Sequence, residues 1–572
     1  MAGTWTALHN QPTFNASTML LLTDGTVLCH DEGTNQNGSN KWYKLTPDSS
    51  GSYQNGTWSS VADSPNSPLF YGSGILIDGR VFVAGGEYNG SNNAAELLAA
   101  EIYDPVANTW TALGTPAGWT QIGDCAFCVL PDGRVLIAPP GTTDQRTAIY
   151  DPVANSWTAA ANKVGPASSE ETWVLLPDQS VLTVNCFGHP ASEKYIIAAD
   201  KWVTAGNTPT DLIEASSNEI GPGVLLPDGR TLFVGSTGRT ALYTMPAVSN
   251  APGTWASGPA LPAVSGQQLI SKDAPGCLLP NGRVLLAVSP QGGCAAAFQG
   301  YCPPTYFYEF NPNDDSLASV TAPPNNTKHS FNGRMLMLPS GQVMYADGST
   351  DIELYTPDGS PDDSWKPVIT GYPSSLRPGR TYTLKGKQLN GLSQCSMYGD
   401  DATMATNYPL VRLTDTTNHQ VFWCRTHDFS TLGVATGNVV HSCKFSVPGG
   451  IPRGTYTLCV VVNGIIGGCR MVTVSNKRFK DLKWELKENF KRELDINQKL
   501  EIEIKFKDGV GEGDPFKRFE GDPAWIEVIK TLAERSDRVE SLLTKGKQSF
   551  INAAERPLLG EEALEDDDQS EE

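Results

Sequence analysis

No stretch of this 572-residue chain stays apolar for the length that a membrane-spanning helix requires, so no membrane span is expected. Its opening residues, MAGTWTALHN, carry neither the basic nor the apolar segment of an export leader, and export by that route is not expected either. Histidine is scarce, with 7 residues, and they are dispersed. No GxSxG, HExxH, P-loop or dinucleotide fingerprint falls where a strand would lead into a helix. Basic residues are outnumbered by acidic ones, 42 to 62, and the net charge of −20 argues against nucleic acid or an anionic membrane as a general partner. The 12 cysteines are spread along a chain too large to need disulfides for a core. Cys125 and Cys128 form one isolated CxxC, which reads as buried thiols; Cys294 with Cys302, and Cys459 with Cys469, are close enough in sequence to bridge.

What the chain has in abundance is one repeated hairpin. A hydrophobic run, a turn dipeptide and a second hydrophobic run recur seven times, at Asp24-Gly25, Asp78-Gly79, Asp132-Gly133, Asp178-Gln179, Asp228-Gly229, Asn281-Gly282 and Ser340-Gly341. Dipeptides of this kind supply the positive φ that a tight hairpin needs. Successive turns stand 46 to 59 residues apart, a period that marks propeller blades. After most hairpins comes a Tyr-bearing strand and then a Trp-bearing one, at Tyr103 and Trp110, Tyr150 and Trp157, Tyr195 and Trp202, Tyr243 and Trp255, and Tyr355 and Trp365. Two strands from each unit make a four-stranded blade, and seven blades close a ring without free sheet edges. Trp5, in GTWTAL, suits an N-terminal strand that zips into the last blade. The pattern resembles kelch-type propellers, and the fold class is all-β.

Residues 1–366 are therefore expected to form the seven-bladed propeller. Over residues 367–475 short alternating strands separated by Pro-Gly and Asn-Gly turns predict an immunoglobulin-like sandwich. From Asn476 the composition shifts: 43 of the last 97 residues are charged, against 61 of the first 475. Within residues 476–560, Phe479, Leu482, Leu486, Phe490 and Leu494 mark one face of a helix, Leu500 to Phe506 alternate as a strand, and a second helix is expected from near Ala524 to Ala554. Residues 561–572, EEALEDDDQSEE, offer nothing apolar to bury and are expected to be disordered. This charged segment reads either as a docking element for an assembly partner or as a solvated appendage.

A seven-bladed kelch-like propeller followed by this sandwich resembles galactose oxidase and the glyoxal oxidases. In the sandwich the resemblance, to the galactose-oxidase-like early set domain, rests on GLSQCSMYGDDATMATNYPLVRL and on the turn region near Arg453. It implies an extracellular setting, one copper ion at the propeller axis, a Cys–Tyr cross-link and a sandwich histidine reaching into the pore. The implied positions do not match. The cross-linked Tyr falls on Phe70, with Tyr71 one place away and so on the opposite strand face. The partner Cys falls at Asn15 and Ala16, the axial Tyr-His pair on Phe331 and Asn332, and the sandwich His on Met404, after Thr403. Lys328-His329 aligns only with a gap inside a strand. Copper(II) favours imidazole and oxygen ligands in tetragonal geometry, and this set does not supply them.

Eight to ten places before each turn the repeats offer a different set: Asn15, Asp124, Glu170, Glu171, Glu219, Asp273 and Asn332, with Lys272 beside Asp273. These positions converge on one end of the channel. Carboxylates and amides there could hold calcium or the hydroxyls of a sugar, or could satisfy only backbone groups and water in a wet pore. Phe70, Tyr71 and Trp119 near the same face suit sugar stacking or ordinary packing. No cofactor is expected. The first reading is a non-catalytic recognition or scaffold protein binding a glycan or protein through the propeller face. The alternatives are a copper-radical carbohydrate or aldehyde oxidase releasing peroxide, and a structural component of a larger assembly.

Overall fold

The computed structural model describes residues 3–475 except 92–95, 142, 169, 215–216, 293–300 and 399–403. The readings made for residues 476–572, and for Cys294 and Thr403, lie outside the described residues. Seven sets of four antiparallel strands follow one another along the chain. The first is Ala16–Leu21, Val27–Asp31, Trp42–Thr46 and Thr57–Ser60, and the second is Gly72–Ile75, Val81–Ala84, Ala100–Asp104 and Thr109–Ala112. Six sets stand as separate four-stranded sheets. The sixth in order, from Gly276–Leu278 to Ser316–Val320, lies within a seven-stranded sheet that also takes in Ala263–Val264, Gln267–Ile270 and Ser396–Met397. The ring thus has six plain blades and one enlarged one, where the sequence predicts seven alike.

The repeat motifs have physical jobs. Inner strands such as Val81–Ala84 and Val135–Ala138 are buried along their whole length because blades pack on both faces, so they read as unbroken hydrophobic runs. The outermost strands, such as Thr109–Ala112, are largely exposed. Tyr and Trp are cross-strand neighbours in four of the five units, as Tyr103 pairs with Trp110 and Tyr150 with Trp157, ring centroids 5.1 Å apart in both. Trp365 instead lies in the turn Asp363–Trp365, and no strand carries it opposite Tyr355. The Tyr103 hydroxyl donates to Asn108 Oδ1 at 2.9 Å, and Asn108 turns the chain at φ +53°. Several Trp indoles also stitch their blade to the preceding one, as Trp110 Nε1 donates to Ala62 O at 2.9 Å and Trp157 Nε1 to Gly114 O at 2.6 Å. Thr4–Ala7 pairs with Ile352–Thr356, placing Trp5 opposite Tyr355, so the N-terminal strand completes the last blade.

The remaining strands, Val368–Gly371 to Arg470–Val474, form one nine-stranded sheet that curls over its own core. It stays continuous because Val421–His427 pairs with Leu410–Asp415 on one side and Val440–Ser446 on the other. A disulfide joins Cys459 and Cys469 across this sheet, Cys302 is also disulfide-bonded, and Cys125 and Cys128 are buried free thiols. The curled sheet docks on the hairpin turns of the first three blades. Thr426 N donates to Thr23 O at 3.0 Å, Phe429 N to Ile77 O at 3.1 Å and Leu432 N to Pro131 O at 2.8 Å.

From this docked sheet a segment rises into the ring. Gln394 Oε1 accepts from Leu175 N at 2.9 Å, Ser396 and Met397 pair with Cys277 and Gly276, and Tyr398 Oη donates to Phe331 O at 2.6 Å. The channel is therefore occupied by protein from the fourth, sixth and seventh blades inward. Among the described residues, the inserted segment fills part of the channel below its mouth.

Candidate functional site

The mouth lies on the face opposite the docked sheet, where the inner strands begin and where each blade's second strand turns into its third. Three carboxylates meet there, Glu170, Glu219 and Asp273, each offering an oxygen within 4.8 Å of the others. They come from the segments leading into the fourth, fifth and sixth inner strands, so the ring itself brings them together. Lys272 Nζ lies 2.9 Å from Glu219 Oε2 and 4.7 Å from the centre of the Tyr301 ring. The Tyr301 hydroxyl stands 3.0 Å from Glu219 Oε2 and 3.1 Å from Asp273 Oδ2. It has one proton to donate, so it serves one carboxylate at a time, and each carboxylate keeps further acceptor positions for an incoming donor.

The electrostatics follow from this crowding. Burial pushes the Tyr301 hydroxyl far above its ordinary value, and the Asp273 charge adds to the rise. Burial lowers Lys272, against the carboxylates of Asp273, Glu214 and Glu170, while the 2.9 Å contact to Glu219 has the geometry of an ammonium on a carboxylate. On the adjoining side of the mouth Tyr88 is pushed up to about 12, by burial and then by Glu87, with Asp124 and Glu170 contributing. Phe70 stands beside it, ring centroids 6.0 Å apart. Two rim residues hold left-handed backbone that non-glycine residues rarely adopt, Phe70 at φ +53° and Asp273 at φ +40°. Strain of this kind gathers at binding sites, where the surrounding structure over-determines it.

The residues singled out in the sequence divide into two groups. Glu170, Glu219, Lys272 and Asp273 are brought together, and Asp124 stands beside them, within electrostatic reach of Tyr88. The other four are placed elsewhere. Glu171, one residue from Glu170, turns inward to a fully buried ion pair with Lys163, and Glu193 Oε1 lies 3.4 Å from the same ammonium. Asn15 Nδ2 donates to Gly33 O at 2.8 Å, a bond within the first blade. Asn332 is buried in the single turn Ser330–Asn332. Tyr71 packs in the interior with its ring 5.4 Å from His30, whereas Phe70 faces the channel with Arg334 Cζ 5.5 Å from its ring. Phe70 and Tyr71 lie between the strands Pro68–Leu69 and Gly72–Ile75, and it is the left-handed backbone of Phe70, not strand alternation, that accompanies the different placing of the two rings. Tyr301, Tyr88, Arg334 and Tyr398 escaped the sequence reading because they lie outside the aligned positions before each turn.

Residues at the copper-ligand positions do not fit the metal. Phe70, Phe331 and buried Asn332 supply no imidazole or phenolate, and the His, Cys, Asp and Glu groups that come together at the mouth among the described residues are the three carboxylates, with the Tyr301 hydroxyl against two of them. Deeper in the channel the Arg334 guanidinium lies 3.9 Å from the Tyr398 ring centre, adding a fixed positive charge to the space below the mouth.

The comparisons with known proteins bear on the fold. A fungal alcohol oxidase of the AA5 family, solved in complex with copper, superposes with a TM-score of 0.50 at 15% identity, covering 83% of this chain and 100% of that one. This is a galactose-oxidase-like kelch fold. The structure of YjhT is also similar over 54% of this chain and 99% of its own, at 15% identity and a TM-score of 0.35. No family model and no curated protein matches the sequence.

Proposed function

We propose that this galactose-oxidase-like propeller is a non-catalytic recognition protein that binds a glycan at the channel mouth. The observation that carries the reading is the convergence of Glu170, Glu219 and Asp273 around the Tyr301 hydroxyl, beside the Phe70 and Tyr88 rings. Carboxylates accept from vicinal sugar hydroxyls, and aromatic faces cover the apolar C–H face of a pyranose. The segment inserted below the mouth, Gln394–Tyr398, leaves the site at the channel end, which suits the end or edge of an oligosaccharide. In this reading residues 1–366 form the recognition unit, and residues 367–475 brace it from the opposite face through the hairpin turns and the inserted Gln394–Tyr398 segment. The alcohol oxidase in complex with copper shares the fold at 15% identity, and fold alone does not carry chemistry across.

The experiment is calorimetric titration of the full chain with a panel of neutral oligosaccharides, repeated on Glu219→Gln and Asp273→Asn. Losing a hydrogen bond to a charged acceptor should weaken binding by roughly tenfold or more in each variant. Absence of binding across the panel, or binding by both variants as tight as that of the parent, would remove the mouth as a glycan site. Peroxide release from galactose or methylglyoxal by the copper-loaded protein would overturn the non-catalytic part.

A further inference from the structure

At the far end of the curled sheet, remote from the channel mouth, the turn before strand Thr381–Lys387 and the turn before strand Gly454–Val462 enclose a depression of about 590 Å³. It is lined by Arg377, Arg380 and Arg453, with Gly449 and Gly450 on its floor. Arg380, Arg453, Gly449 and Gly450 are exposed, and among the described residues none of the three guanidinium groups is in an ion pair. In a chain of net charge −20, three arginines gathered on one concave surface with no carboxylate among them are a local reversal of sign. Forked guanidinium groups and the exposed amides of a Gly-Gly turn are suited to carboxylates.

The last described strand ends at the edge of this depression. Val474 pairs with Gly454, next to Arg453, and Ser475 N donates to Leu376 O at 2.9 Å, next to Arg377. The chain beyond Ser475 therefore departs between two of the arginines. That chain closes on EEALEDDDQSEE, in which eight of 12 residues are acidic and none is basic. We propose that residues 561–572 dock in the Arg377, Arg380 and Arg453 depression of the same molecule. The 85 residues between Ser475 and Glu561 are ample to return to a site that begins where they leave. Tethering also holds the acidic stretch near the arginines at a high effective concentration. The arginine site is thereby closed to other acidic ligands, and the docked tail is kept from the acidic channel mouth.

The test compares hydrogen exchange of the Gly449, Gly450, Ile451 and Arg453 amides in the full chain with two variants. One carries Gln or Asn at the eight acidic positions of 561–572, and the other is Arg380→Gln with Arg453→Gln, both exposed positions where folding should be unaffected. Each variant should exchange these amides roughly tenfold faster at low salt, and about 0.5 M NaCl should remove the difference. Combining the two sets should add nothing further, because they break the same contact. Unchanged exchange in the tail variant, or losses that add, would overturn the proposal. Protection that fades on dilution would place the tail on a second copy and overturn docking within one molecule.

Discussion

Lys272 Nζ stands 2.9 Å from Glu219 Oε2, and it is the ammonium that lets three carboxylates share the channel mouth. Lys272→Met should leave Glu170, Glu219 and Asp273 facing one another without that charge. Repulsion among three charged carboxylates without that ammonium should cost stability at neutral pH and less in acid, where protons relieve it. Urea unfolding should show the variant destabilised by about 2 kcal/mol at pH 7 and much less at pH 4.5. Equal loss at both pH values would mean that Lys272 contributes packing alone.

Glu32, buried across the channel from this cluster, makes a second pH prediction. Burial pushes its carboxyl up to about 7, Arg334 and Lys328 pull it down, and Asp347 adds to the rise. Its folded pKa lies above the unfolded value, so the stabilisation is complete below about pH 4.5 and disappears as pH passes 7. Glu32→Gln should remove that slope and gain up to about 3 kcal/mol on the parent between pH 4.5 and 8. Glu353, also raised to about 7, stays in both proteins and cancels in the difference. Parallel stability curves would show that Glu32 does not titrate in this range.

The propeller and the curled sheet meet at Gly25, where φ is +77° and an added Cβ would lie 2.5 Å from Trp423 Cγ. Gly25→Ala should cost about 2 kcal/mol, from the left-handed backbone and the displaced indole together. Placing Trp423→Ala in the same chain should recover the steric part and leave the backbone part, which a double-mutant cycle in urea measures. Strictly additive losses would place the whole cost in the backbone.

Copper supplies the fourth check. With Phe70, Phe331 and Asn332 at the ligand positions and a guanidinium below the mouth, protein loaded with copper(II) and desalted should retain well under one ion per chain by elemental analysis. A stoichiometric ion with a tetragonal spectrum would require a ligand set drawn from other residues.

How much of this was legible in advance depends on the range of the interaction concerned. The seven hairpins, their period and the Tyr and Trp of each outer strand pair are local, because a turn needs its left-handed residue and a cross-strand pair needs its spacing. They could be read from the chain, as could the N-terminal strand of Trp5; the separate placing of Phe70 and Tyr71 depends instead on the left-handed backbone at Phe70 between two strands. Tertiary structure decided what the repeats enclose. Glu170 and Glu171 are sequence neighbours, yet one joins the mouth and the other is buried on Lys163, a partner eight residues back in the same connecting segment that no periodicity announces. Tyr301 reaches Glu219 across 82 residues, and the plug at Tyr398 reaches Phe331 across 67. Seven-fold repetition places the inner strands in a ring, but only the packing of non-repeated segments against that ring determines which side chains meet at its centre.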